Sequence, residues 1–264
     1  MAWLRRHVLS VVGLLVMGYI LVPNLVVILF SFNSPNGRYN YEWTRFSLDA
    51  WTNPCGSPGM CEALGLSLRV GLIASVVATV LGTMVAFALG RHRFRGRAAT
   101  NLLIFLPMAT PEVVMGSSLL TLFISLGIPS GSTTILIAHI MFCLSFVIVT
   151  VKARVASLDP RLEQAAADLY ANELQTFLRV TLPLVAPGIA AGGLLAFSLS
   201  FDDYIITNFN ASPSSVTFPM FVWGAAQRGT PVQINVIGTV MFLAALVLVA
   251  VGQLISNRRA RETV

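Results

Sequence analysis

Lysine is nearly absent from this 264-residue chain: Lys152 is the only one, and Val151 precedes it. A nucleotide-binding P-loop sets a lysine between glycine and Ser or Thr, so that the ammonium reaches the terminal phosphates. No such run occurs here, which excludes ATP binding of that kind. Charge of either sign is scarce, with 11% of residues charged against about 25% in a typical soluble domain. The three histidines, His7, His92 and His139, are scattered. There is no His-Glu-x-x-His, no Gly-x-Ser-x-Gly and no cluster of metal ligands, which argues against a membrane enzyme. The internal repeat common in secondary transporters is also missing.

What fills the chain instead is apolar sequence, 56% of its residues. A helix needs about 20 mostly apolar residues to cross the hydrocarbon of a bilayer. Six stretches qualify, at 8–32, 64–90, 98–126, 132–151, 184–208 and 231–256. Backbone in lipid must satisfy its own hydrogen bonds, so an all-α membrane protein of six transmembrane helices is expected. The first begins like a signal peptide, with Arg5, Arg6 and His7, but its apolar run is too long and lacks a small-residue cleavage site. It reads as a retained helix kinked near Pro23.

The net charge of +6 is not a nucleic-acid footprint, because the charges sit in short runs between apolar stretches. Thirteen of the 17 basic residues fall on one side: Arg5, Arg6, Arg91, Arg93, Arg95, Arg97, Lys152, Arg154, Arg161, Arg179, Arg258, Arg259 and Arg261. The other four are Arg38, Arg45, Arg69 and Arg228. The positive-inside rule then puts both termini in the cytoplasm. The outer loop from Asn33 to Glu62 carries Tyr39, Tyr41, Trp43, Phe46 and Trp51, which read either as an interfacial aromatic belt or as a docking surface. Cys55 and Cys61 in the same loop form either a disulfide, which an outside location permits, or two free thiols. Cys143 reads as packing within the fourth span.

The longest cytoplasmic segment, 152–182, is too polar to span. Asp159-Pro160 reads as a helix start. Leu162, Ala165, Ala166 and Leu169 then recur on one helical face. Asn172 with Gln175 reads as a capping box for a second short helix, whose apolar face holds Leu174, Phe177 and Leu178. Spacing alone leaves open whether this pair of helices caps the bundle or grips a partner.

The run from Gln164 to Pro183 resembles the EAA loop of binding-protein-dependent ABC-importer permeases. That pattern is Glu-Ala-Ala, three residues, Gly, nine residues, Ile, one residue, Leu-Pro. Here stand Gln164-Ala165-Ala166, Tyr170, Val180 and Leu182-Pro183 at the same offsets. Gln164 replaces the glutamate, with Glu163 adjacent, and Tyr170 replaces the glycine. The intervening Asp168-Leu169-Tyr170-Ala171-Asn172 is a form that similar permeases carry. The resemblance covers nearly the whole chain and is nearest to spermidine/putrescine permeases of the PotC-like type. It includes Ser31-Phe32-Asn33, Arg91 to Gly96, Pro111 to Gly116 and Ser198 to Asp203. It has no counterpart for the Cys55–Cys61 stretch.

The resemblance implies a type I ABC-importer permease fold in the bacterial inner membrane. It also implies a coupling loop (Glu163 to Asn172, Leu182, Pro183) docked on a dimer of cytoplasmic ATPase subunits. ATP and Mg would reside on that partner and no cofactor on this chain. A second permease subunit and an external binding protein complete the implied assembly. The residues agree in sign with a cationic solute. Glu112, Asp202 and Asp203 are the only acids in or at the ends of the spans, and intramembrane acids usually face a cavity. Carboxylates suit desolvated ammonium groups, and Tyr204, Phe201 and Trp223 offer cation–π contacts. A structural alternative stands beside this: the aspartates sit at the interface, and Glu112 satisfies backbone freed by Pro107 and Pro111. Another amine, an opine or an oxyanion remains a possible solute, although an oxyanion path should favour basic residues, which the spans lack. Gly188 to Gly192 forms a GxxxG that serves either an intrachain contact or a partner. Asn210-Ala211-Ser212 matches a glycosylation acceptor by chance.

Overall fold

The computed structural model describes the backbone of residues 2–92 and 94–262 and the side chains of residues 7–92 and 94–252. The side chains of Arg5, Arg6, Arg93, Arg258, Arg259 and Arg261, which contribute to the charge asymmetry, lie outside the described residues. Among the described residues the chain is helical, with no strand beyond an isolated bridge between Asn33 and Phe46. It forms two compact units, Met1–Cys61 with Val222–Val264, and Glu62–Phe221.

In the first unit, α1 (Ala2–Phe30) runs without interruption through Pro23 and packs on α12 (Val232–Glu262). No described side chain of α1 is fully buried. The loop that follows α1 is organised by Asn33. Its amide donates to Asn40 Oδ1 and to the Glu42 carbonyl, each at 2.7 Å, and its Oδ1 accepts from Thr44 N–H at 2.9 Å. The short helix α2 (Asp49–Thr52) buries Ala50 against Val232 and Val236 of α12. Cys55 and Cys61 are joined by a disulfide, with Cα atoms 5.5 Å apart. Tyr39 and Tyr41 stack at 5.3 Å, and Tyr39 donates to the Gln227 carbonyl.

The second unit is built round α6 (Ser132–Ala156), the most buried of the long helices. Close approach needs small residues. A Cβ added at Gly82 of α3 (Met60–Arg91) would lie 2.7 Å from Val147 of α6, and one at Gly90 the same distance from Val155. On the other flank α9 (Leu182–Asp202) brings Gly188 against Arg154 and Gly192 against Val147 and Val151. The GxxxG therefore serves a contact within the chain.

The stretch expected to cross as one helix over 98–126 is broken. It forms α4 (Arg97–Ala109) and α5 (Glu112–Ser125), bent by 105°. Pro111 has no N–H to continue the ladder, and Thr110 before it is extended, as a residue preceding proline prefers. Among the described residues five helices are long and apolar enough to cross a membrane, or six with the bent pair taken as one span. The stretch drawn over 184–208 also stops early. Helix α9 ends at Asp202, and a separate short helix, α10 (Ile205–Asn210), follows. Beyond it lies α11 (Phe218–Arg228).

Candidate functional site

Between α6 and α9 lie two short helices, α7 (Arg161–Asp168) and α8 (Glu173–Thr176). Both start as local capping dictates. Asp159 Oδ1 accepts the Arg161 N–H at 2.9 Å. Asn172 and Gln175 exchange hydrogen bonds, with Gln175 N–H to Asn172 Oδ1 at 2.8 Å and Asn172 N–H to Gln175 Oε1 at 3.0 Å. Between them the chain reverses through a Schellman turn. The Tyr170 N–H donates to the Ala167 carbonyl and the Ala171 N–H to the Ala166 carbonyl, at 2.9 and 3.1 Å. Tyr170 occupies the left-handed position of that turn, at φ +58°. After α8 the helix widens into a π segment, Phe177–Thr181, before continuing as α9. The wider turn is where the ladder accommodates Pro183, which supplies no donor.

The loop has an inner and an outer face. Inward, Ala166 is buried, and Glu163 Oε1 is held by Arg91 Nη2 and Thr181 Oγ1, each at 2.8 Å. One carboxylate thus ties α7 to the end of α3 and to the start of the α9 segment. Phe87 of α3 meets Phe177 edge-on at 5.3 Å. These residues with Arg91, Glu163, Thr176 and Thr181 line a cavity of about 310 Å³. Outward, Gln164, Ala165, Asp168, Leu169, Tyr170, Asn172, Leu174 and Pro183 are exposed, while Ala171 and Leu182 are half-buried. At the place usual for glutamate, Gln164 faces solvent, and the neighbouring Glu163 makes the structural contact.

A second polar constellation sits where α9 breaks. Asp202 ends the helix and is exposed, whereas Asp203 turns inward. Its carboxylate accepts the N–H groups of Ile206 (3.3 Å) and Thr207 (2.8 Å) and the Thr207 hydroxyl (2.8 Å), capping α10. His139 of α6 completes the cluster. Its Nε2 lies 3.2 Å from Asp203 Oδ2 and 2.9 Å from Thr207 Oγ1, and its Nδ1 lies 2.7 Å from Ser200 Oγ. His139, Ser200, Asp203 and Thr207 are all buried. Buried polar groups need such partners, since each would otherwise bear its full desolvation penalty. At the far end of α10, the Asn210 side-chain amide donates to the Ile206 carbonyl at 2.8 Å, and the Asn210 backbone carbonyl accepts from Thr134 Oγ1 at 2.8 Å.

Of the pathway residues expected from sequence, Glu112 is exposed in the first turn of α5, the positive end of that helix. Helix α5 packs on α10, where Gly116 meets Ile206 and Phe209. Glu112 and Asp202 are the exposed carboxylates of the set, and Tyr204 is half-buried. Asp203 is taken up by the protein itself. Trp223 lies on α11 in the other compact unit. His139 was not singled out from sequence. The available signal was an ionisable side chain in the middle of an apolar span, which is rare and has a partner by default.

Residues 78–262 match the family described as binding-protein-dependent transport system inner membrane component. The chain is 35% identical over 243 residues to the spermidine/putrescine transport system permease protein PotC of Escherichia coli K12, covering 92% of this chain and 91% of that one. It is 37% identical over 249 residues to the putrescine transport system permease protein PotI of the same strain, covering 92% and 86%. Among solved structures, a bacterial ABC transporter involved in import of the acidic polysaccharide alginate superposes with a TM-score of 0.65 at 18% identity. That alignment covers 95% of this chain and 96% of the other.

Proposed function

The chain belongs to the family of binding-protein-dependent transport system inner membrane components, and we propose that the solute it carries is a polyamine such as spermidine or putrescine. As a permease subunit it is not itself an enzyme; hydrolysis of ATP belongs to a separate subunit. The observation that carries the polyamine reading is the likeness to polyamine permeases over nine-tenths of both chains. The acids at the broken helices support it. A linear polycation entering a low-dielectric path leaves water behind at each ammonium group, and a carboxylate at each station replaces that hydration. On this reading Asp202 and Glu112 are such stations, and Tyr204 offers an aromatic face beside Asp202.

The fold is read as six spans with α4 and α5 forming one broken span, and with both termini in the cytoplasm, as the excess of arginine on that side favours. The partners are a pair of ATPase subunits holding ATP and Mg, a second permease subunit and an external binding protein. No cofactor is assigned to this chain. The 152–182 loop is the coupling element, from Glu163 through Asn172 to Leu182 and Pro183. Its outer face engages the ATPase, and its inner face transmits the displacement through Glu163 to two spans at once.

Uptake of labelled spermidine tests this in cells stripped of their own polyamine importers and supplied with this transporter. Saturable uptake that unlabelled putrescine competes for, and that falls in an Asp202→Asn variant, supports the reading. Uptake no greater than in the stripped cells contradicts it.

A further inference from the structure

Among the described residues Tyr170 is the only one other than glycine with a positive φ. In that region Cβ crowds the backbone carbonyl, so glycine enters freely and a tyrosine only under strain. The turn does not require the side chain, because both bonds that close it, to Ala166 and Ala167, are backbone bonds. Nor is the ring held by packing, since Tyr170 is 98% exposed. A residue that strains its turn and rests on nothing within the chain has its contact outside it.

We propose that Tyr170 is the anchor by which this loop grips the ATPase subunit, its ring entering an apolar cleft of that partner. The inference rests on the reading of 152–182 as the coupling loop and names the residue that carries the contact. Three observations select this occupant. Leu169 at 81% and Leu174 at 66% exposed flank the ring, and with it they make an uncovered apolar knob at the turn between α7 and α8. The knob stands on a Schellman turn and a capping box, so it is presented in one conformation, which lowers the entropic cost of docking. Asp168 and Glu173, both exposed, bracket it, and their charge disfavours the anionic cytoplasmic leaflet as the surface on which the ring lies. Tyrosine is also among the side chains that most often dominate interface energetics.

The test measures binding of the transporter's purified ATPase subunit to the permease assembly in lipid nanodiscs, beside the thermal stability of that assembly. Tyr170→Gly is expected to weaken binding ~10- to 30-fold, as loss of a hot-spot side chain does, while stability stays the same or rises. Tyr170→Phe is expected to restore most of the affinity. Wild-type affinity in Tyr170→Gly overturns the proposal, with the ring idle or on lipid instead. A clear fall in stability of Tyr170→Gly also overturns it, because the ring would then serve the fold. A double variant, Leu169→Glu with Leu174→Glu, separates the two levels. If it binds the ATPase as well as wild type does, the coupling-loop reading itself fails; if it alone loses binding, only the role of Tyr170 falls.

Discussion

His139 Nε2 stands 3.2 Å from Asp203 Oδ2, with side chains 1% and 3% exposed, while the preceding residue, Asp202, faces outward. The two consecutive aspartates therefore do different work. Helix α9 ends between them, and the change to extended backbone at Asp203 points its carboxylate into the protein. There it caps α10 and meets α6 through His139, so three elements converge on one acid.

This division predicts a double dissociation. His139→Ala removes one partner of a buried pair and is expected to cost roughly 3 kcal/mol of stability. The loss is read as a lowered melting temperature of the purified assembly. Asp202→Asn, at an exposed position, is expected to change stability by less than about 0.5 kcal/mol while reducing polyamine uptake. Equal stability loss in both variants would refute the distinction.

The contact between Arg91 and Glu163 carries the second prediction. Both side chains are partly exposed, so removing the pair is expected to cost only about 1 kcal/mol. Its effect should fall on coupling. With Glu163→Gln, hydrolysis by the assembled transporter is expected to persist while solute moved per ATP falls several-fold. An unchanged ratio of uptake to hydrolysis counts against transmission through this contact.

The third concerns Cys55 and Cys61. Joined as they are, neither should react with a membrane-impermeant maleimide until a reductant is added. Replacing both with serine is expected to loosen the loop between α1 and α3 by about 2 kcal/mol, the chain-entropy value for so short a loop, with the Asn33 network left to hold it. Labelling of both cysteines in untreated membranes would sink the pairing.

A fourth follows from the contact of α3 with α6. A Cβ at Gly82 falls 2.7 Å from Val147, so Gly82→Val must push the two helices apart. A cost of about 1–3 kcal/mol is expected from such overpacking, seen as poor recovery of folded permease. Wild-type melting of that variant would show that the helices approach less closely.

What was legible in the sequence was local. Asp159, and Asn172 with Gln175, announce two helix starts because caps are made within three residues, and both appear with their hydrogen bonds in place. The apolar runs announced the long helices for the same reason. The break of 98–126 was half visible: Pro107 and Pro111 were evident, but only Pro111, with extended Thr110 before it, interrupts the ladder, and Pro107 lies inside α4. The contact of Gly188 and Gly192 with α6 could not be read, since a stripe of small residues does not name the helix it meets. His139 was passed over because its partners lie 61 and more residues away. The different fates of Asp202 and Asp203 depend on one backbone torsion at the end of α9, which no local pattern fixes.

On the proposed reading this chain passes a polyamine under the drive of an ATPase it grips. The most direct measurement is ATP hydrolysis by the complex that co-purifies with this chain, reconstituted in lipid with its binding protein, with and without spermidine or putrescine. An ATPase subunit is expected to come down with the chain, and either polyamine is expected to stimulate its hydrolysis. Hydrolysis indifferent to both would contradict the polyamine assignment, and a chain that brings down no ATPase would contradict the reading of residues 152–182 as the coupling loop.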